Sequence, residues 1–281
     1  MIKKVSPAKV NLYLRVLRKR EDGYHDIATL MQGISLYDEM IFSPVDHGIT
    51  VSCPGSTLPE NENNIVYRAA DALLSRLSYS PGIHITIKKR IPVAAGLGGG
   101  SSNAATALLT INDMLGFHYT TEDLMKIGTK LGADVPFFIF RKTAWAFGIG
   151  DRLQAAENIP PLWFVLINPG FEISTKMVYD NLNLRLTKQA VKYTCPKIYS
   201  VDDLINGLRN DLEKVTLVLH PILQHLKNLL LQNGALGAIM SGSGPTVAGL
   251  FAKEKEAVKA AEALENIGEK EWSVYRACSI W

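Results

Sequence analysis

Four glycines between Gly96 and Gly100, followed at once by Ser101 and Ser102, constrain this chain more than any other feature. Upstream, GIHITIKKRI alternates Ile83, Ile85 and Ile87 with His84, Thr86 and Lys88, the period of a half-buried strand. Downstream, SSNAATALLTINDMLG sets Ala105, Leu108, Leu109 and Ile111 at helical spacing and stops at Gly116, a C-terminal cap. The glycines therefore join a strand to a helix N-terminus. Such an end carries unpaired N–H groups and partial positive charge, so it attracts anions. Without Cβ atoms, the backbone amides can curl round phosphate oxygens. A flexible turn is the plainer alternative. Four glycines and two serines before a strong helix favour the phosphate cradle. No Gly-Lys-Ser/Thr follows, so the run is not a P-loop. Serine also stands where the dinucleotide fingerprint wants its last glycine or alanine.

The rest of the chain bounds the partners. Its 281 residues are 47% hydrophobic, enough for one large domain or two moderate ones. Thirty basic residues against 27 acidic ones leave a net charge of +3, which points to neither nucleic acid nor a membrane as partner. Cys53, Cys195 and Cys278 are odd in number and form no CxxC, so a disulfide framework and a zinc site are not expected. No stretch approaches the roughly 18 apolar residues of a membrane span. The expectation is a soluble, cytoplasmic protein.

Further along, TTEDLMKIGTKLG predicts a short helix capped by Thr120 or Thr121. PPLWFVLINPG predicts a strand, and the pair Pro160-Pro161 marks a domain junction. A helix is expected near Thr175 to Leu182, then a polar stretch to Ser200. A long helix from about Asp211 to Gln232 should kink or split at Pro221. LGAIM, SGSGP and TVAGLFA read as strand, loop, strand. A charged helix and a final strand close the chain in a split βαβ order.

Three ordered motifs carry a resemblance: SPAKVNLYLRV from Ser6, PVAAGLGGGSSNAA, and MSGSGPTVAGLF from Met240. Together they resemble the GHMP kinase superfamily over almost the whole chain. DGYHDIATLMQGISLYDEM, ENNIVYRAA, LGADVPFF and NDLE are similar to its branch that phosphorylates the 2-hydroxyl of a methylerythritol carrying a cytidine diphosphate handle, on the non-mevalonate route to isoprenoids. The resemblance implies an α+β, two-lobed fold. Residues 1–159 would form an N-terminal ATP-binding lobe like ribosomal protein S5 domain 2. Residues 160–281 would form a ferredoxin-like C-terminal lobe. The active site is expected in the cleft. Two departures stand out: Asp151 in GIGDRL, where glutamate is commoner, and Leu184 to Ser200, which matches no motif.

The same resemblance assigns roles. Asp134 would take the hydroxyl proton, and Lys9 would keep it ionised and stabilise developing charge. Gly96, Gly98, Gly99, Gly100, Ser101 and Ser102 would hold phosphate. Asn103 would cap or line that helix start, and Asn64 would help hold adenine. Tyr24 would stack on cytosine and His25 would bond its edge. Tyr179 would supply the second aromatic face, with plain core packing as the alternative. Thr175, four residues before Tyr179, faces the same side of a helix and could reach sugar or diphosphate. Asn11 shares a strand face with Lys9, which suits contact with the erythritol part. Gly242, Ser243 and Gly244 would abut the active site, or form only a tight turn. Lys88, Lys89 and Arg90 could favour ATP or simply end a strand in solvent. ATP with Mg2+, held mainly by phosphates and water, is implied, and no protein metal ligands are expected. The partner would be a small molecule, and the enzyme a monomer or homodimer. Two other readings stay open: another GHMP kinase of small alcohols, and a non-catalytic nucleotide sensor. The GYH loop and Tyr179 weigh against the first, and retention of Lys9 and Asp134 against the second.

Overall fold

The computed structural model describes residues 1–76, 82–182, 193–267 and 272–281. The chain forms two compact units, each assembled from three segments. The first holds Met1–Ala8, Leu36–Pro92 and Gly98–Arg141. The second holds Lys9–Ser35, Val93–Leu97 and Lys142–Trp281. Two long strands, β1 (Ile2–Lys19) and β2 (His25–Val45), belong partly to each unit, and so does the glycine run.

In the first unit the far half of β2 pairs antiparallel with β4 (Gly82–Lys88), which pairs parallel with β3 (Ile49–Ser52). Ile83, Ile85 and Ile87 of β4 are buried, as their alternation predicts. Among the described residues, four helices complete the unit: α1 (Ile65–Leu74), α2 (Gly99–Met114), α3 (Thr121–Leu131) and α4 (Val135–Phe140). Thr120 caps α3 through a reciprocal box with Asp123. Small Ala104, Ala105 and Ala107 let α2 sit deep, and Leu108 and Ile111 beside them are buried too.

The second unit contains the near half of β2, paired with β5 (Ala144–Gly148), which pairs with β6 (Arg152–Ala155). Its other strands are β7 (Trp163–Asn168), β8 (Arg209–Asn210), β9 (Gly237–Met240), β10 (Val247–Phe251) and β11 (Ser273–Ile280). Four of these run in the order β11-β7-β10-β9 with every neighbour antiparallel. That is the split βαβ arrangement expected of a ferredoxin-like lobe. Short helices α5 (Thr175–Asp180) and α6 (Val201–Gly207) follow β7. The expected long helix is split at Pro221 into α7 (Glu213–Leu219) and α8 (Ile222–Gln232), because proline cannot donate within a helix. Leu223, Leu226 and Leu230 of α8 and Ala257, Ala260, Ala261 and Leu264 of α9 (Glu254–Ile267) pack with β7 and β10 into one core. Residues 184–192 of the unmatched stretch lie outside the described residues. No helix among the described residues is long and apolar enough to cross a membrane.

Candidate active site

The glycine run opens α2. Gly98 takes a left-handed conformation, φ +71°, at the N-cap, where no side chain caps the helix. The first amides of α2 are thus left to other partners. A Cβ on Gly100 would meet Ile65 Cγ2 at 3.8 Å, an ordinary contact, and Gly100 is exposed. Ser101 lies beside the turn that leads to Asp134: its Oγ is 3.6 Å from where a Cβ on Gly132 would sit. Asp134 occupies the N-cap position of α4, with its side chain not used to cap that helix. The start of α2 and the turn that carries Asp134 are therefore neighbours in one unit.

Side chains beneath the start of α2 are hydrogen-bonded to one another. Ser102 is buried and its Oγ accepts from Ser6 Oγ at 2.8 Å. Asn103 donates to Ser6 Oγ and to Asp38 Oδ2, both at 3.0 Å, and accepts from Lys89 Nζ at 3.2 Å. Asp38 has no exposed surface; it is ion-paired with Lys89 and accepts from the backbone N–H of Arg90 at 2.8 Å and Ile91 at 2.9 Å. A buried charge survives only when paired and hydrogen-bonded, and this one is both. Asn103 thus braces the helix start from inside. Asn64 is similarly occupied: Oδ1 caps α1 through Val66 N, and Nδ2 donates to Pro59 O at 2.7 Å.

In the second unit, Lys9 and Asn11 share one face of β1. Lys9 Nζ donates to Asn11 Oδ1 at 2.5 Å, and both residues are buried. The third motif folds against them. A Cβ on Gly242 would stand 3.2 Å from Asn11 Oδ1 and 3.5 Å from Lys9 Nζ. Ser241 Oγ accepts from Asn11 N at 3.3 Å and donates to Gly96 O at 2.9 Å. Gly96 itself has φ +76°, and a Cβ there would lie 2.1 Å from Ser241 O. Only glycine permits that approach. Thr175 Oγ1 is 2.7 Å from Ser243 Oγ, so α5 is tied to the same turn.

Two models of known families match: GHMP kinases N terminal domain over residues 64–142 and GHMP kinases C terminal over residues 197–270. A 4-diphosphocytidyl-2-C-methyl-D-erythritol kinase of Syntrophus aciditrophicus (strain SB) is 58% identical over 280 residues, covering 100% of both chains. The chain belongs to the 4-diphosphocytidyl-2-C-methyl-D-erythritol kinase family. A family member from Syntrophotalea carbinolica is 51% identical across 93% of this chain and 94% of its own. The crystal structure of a 4-(cytidine 5'-diphospho)-2C-methyl-D-erythritol kinase superposes with a TM-score of 0.84 at 34% identity, covering 100% of both chains. A homoserine kinase from Cytophaga hutchinsonii shares the fold alone, with a TM-score of 0.73 at 20% identity over 99% of this chain and 94% of its own.

Within this kinase-family chain, two of the expected substrate residues meet each other. Tyr179 stacks on His25, with centroids 4.9 Å apart and planes 25° apart. Tyr24 is 61% exposed, and its N–H donates to Asp22 Oδ1 at 3.1 Å. Burial pushes the His25 imidazole below its usual pKa, and Lys19 adds to the effect. The ring therefore favours its neutral form at neutral pH. A cleft of about 920 Å³ in the same unit is lined by Arg18, Arg20, Asp26, Asp151 and Arg152, and by none of the expected substrate residues. Among the described residues, no group of three or more histidines, cysteines or carboxylates is placed to hold a metal.

The sequence motifs assign no role to Ser6 or Asp38, and Lys89 there fits either a ligand contact or a solvated strand end. A signal for Asp38 existed. It alternates with Leu36, Met40 and Phe42, all buried, so an ionisable group sits on a core face and needs a partner. Lys89, one of three basic residues at that strand end, is that partner, with its side chain only 10% exposed.

Proposed function

We propose that this chain transfers the γ-phosphoryl group of ATP to the 2-hydroxyl of 4-diphosphocytidyl-2-C-methyl-D-erythritol. The observation that carries the site assignment is the adjacency of the open α2 start and the Asp134 turn. The family membership carries the substrate. ATP, when bound, supplies the phosphoryl group, with Mg2+ held mainly through phosphates and water. Amides of Gly98, Gly99 and Gly100, with Ser101, would cradle its phosphates. Asn64 would shape the adenine side by fixing the start of α1.

Asp134 orients the acceptor hydroxyl and receives its proton. A carboxylate is a weak base for an alcohol, so the proton leaves late, and positioning supplies much of the effect. Lys9 stabilises the charge that develops, with Asn11 holding its ammonium. His25, Tyr179 and Tyr24 hold the cytosine handle, and Thr175 reaches towards the sugar or diphosphate. Residues 1–159 would serve as the ATP-binding domain and 160–281 as its C-terminal partner, in the cytoplasm.

The test is ADP release with ATP and Mg2+, comparing the cytidyl alcohol with the same alcohol lacking the handle. Strong release from the cytidyl form alone is expected. Equal release would remove the handle from the reading. ATP binding without release from either would point to a sensor. Asp134→Ala should lower kcat by about 10²–10⁴ at saturating substrate, the size of a general-base contribution. A loss below about tenfold would overturn that role.

A further inference from the structure

The Lys9 ammonium is aimed by a row of buried hydrogen bonds. Lys9 Nζ donates to Asn11 Oδ1 at 2.5 Å. Asn11 Nδ2 donates to Thr29 Oγ1 at 2.8 Å. Thr29 Oγ1 in turn donates to the Tyr13 carbonyl at 2.6 Å. Thr29 lies on β2 with no exposed surface, and Lys9 and Asn11 are almost as buried. Each bond in this row has a forced direction. The Tyr13 carbonyl can only accept, so it fixes the hydroxyl proton of Thr29. The Thr29 oxygen then turns its lone pairs to Asn11, which must present its amide nitrogen. The Asn11 oxygen is left facing Lys9, whose ammonium can only donate.

We propose that Thr29 is a positioning residue of the phosphoryl-transfer site. It acts through Asn11, setting which way that amide faces and so where the Lys9 ammonium points. A flipped Asn11 amide would set its NH2 against the ammonium, a donor facing a donor. The backbone N–H of Asn11 is held from elsewhere, by Ser241 Oγ at 3.3 Å, so it leaves the amide orientation to Thr29. The inference rests on the catalytic role proposed for Lys9.

The experiment measures kcat and both KM values for Thr29→Val, Thr29→Ala, Thr29→Ser, Asn11→Leu, Lys9→Ala and the double variant Thr29→Val/Asn11→Leu. Thr29→Val, which keeps the volume and loses the hydroxyl, should lower kcat about tenfold, the size of one lost hydrogen bond, with KM for ATP unchanged. Thr29→Ser should restore kcat to within about twofold, since the hydroxyl is what acts. In the double variant, loss of Thr29 should add nothing to loss of Asn11. If Thr29→Val does not fold, Thr29→Ala against Asn11→Leu carries the same comparison. A Thr29 deletion within about twofold of the parent, while Lys9→Ala is severely impaired, overturns the inference. Deficits that multiply in the double variant also overturn it. A Lys9→Ala enzyme that keeps its kcat overturns the catalytic reading instead.

Discussion

The opening of α2 and the turn from Arg20 to Tyr24 both carry expected ligand contacts, yet they are built in opposite ways. At α2, Asp38, Lys89, Asn103, Ser102 and Ser6 interlock beneath the backbone, and Asp38 has no exposed surface. At the turn, Arg20 and Asp22 pair in solvent at 2.7 Å, and Tyr24 stands 61% exposed. The contrast separates two demands. Transferring a phosphoryl group needs dipoles fixed before the reaction, because reorganising them would raise the barrier. Holding a nucleotide base needs surface and a flat partner, and base stacking tolerates adjustment.

The widest gap between the regions should appear on removing a charge from each. Asp38→Ala leaves Lys89 buried without its carboxylate and strips acceptors from Arg90 N, Ile91 N and Asn103. A loss of about 3–5 kcal/mol is expected, the usual result of breaking a buried pair. Chemical denaturation measures it. A midpoint like that of the parent would mean the network is not what braces α2.

Next come the glycines of the run itself, which divide by function. Gly96→Ala places a Cβ 2.1 Å from the Ser241 carbonyl at a left-handed φ of +76°. Backbone meets backbone there, so about 2–4 kcal/mol of stability should be lost. Gly100→Ala meets nothing nearer than 3.8 Å inside a helical turn. It should leave stability unchanged or raise it by up to about 1 kcal/mol. If Gly100 faces phosphate, the same change raises KM for ATP. Thermal unfolding beside kinetics separates the two, and a Gly100→Ala enzyme with parental KM would limit the cradle to Gly98 and Gly99.

On the open side, Tyr179→Leu keeps an apolar side chain against the core while removing the ring. Stacking is worth about 1–3 kcal/mol per base, so KM for the cytidyl alcohol should rise by about tenfold or more, while KM for ATP holds. The His25 partner adds a pH signature. Burial lowers its pKa, so the fold favours neutral His25. Its contribution to stability is complete above the ordinary histidine range and is lost as pH falls through the lowered value. The stacked pair should therefore loosen on acidification, and KM for the cytidyl alcohol should climb below neutral pH. A flat profile in the parent would show that protonating His25 does not disturb the pair.

What could be read from the sequence follows from how local each cause is. The α2 start was legible because glycine and the helical period act within a few residues. The shared face of Lys9 and Asn11 followed from strand alternation alone. The split at Pro221 and the split βαβ order were legible for the same reason. The Asp38 network was not, since Lys89 and Asp38 lie 51 positions apart and meet only once β2 and β4 pair. Nor could spacing place Tyr179 on His25, because residues far apart in sequence meet there. Thr29 carried no signal at all: a threonine in a strand is ordinary until its hydroxyl is seen between Asn11 and the Tyr13 carbonyl.

The smallest effect on stability should come from Asp22, and it sharpens the comparison most finely. Its carboxyl is held below the usual range, first by the hydrogen bond from Arg20. Such a carboxylate lends stability above its unfolded pKa and loses it as pH falls. Asp22 stands in solvent, however, where salt screens the pair and two flexible side chains lose entropy on meeting. Asp22→Asn should therefore leave the denaturation midpoint where it is. It also keeps an oxygen to accept from Tyr24 N, so KM for the cytidyl alcohol should hold. Asp22→Ala removes that oxygen and frees the turn. The midpoint should again hold, but KM for the cytidyl alcohol should rise a few-fold with kcat unchanged. A drop in midpoint comparable to that of Asp38→Ala would erase the distinction, for it would mean the exposed turn is as firmly built as the buried one.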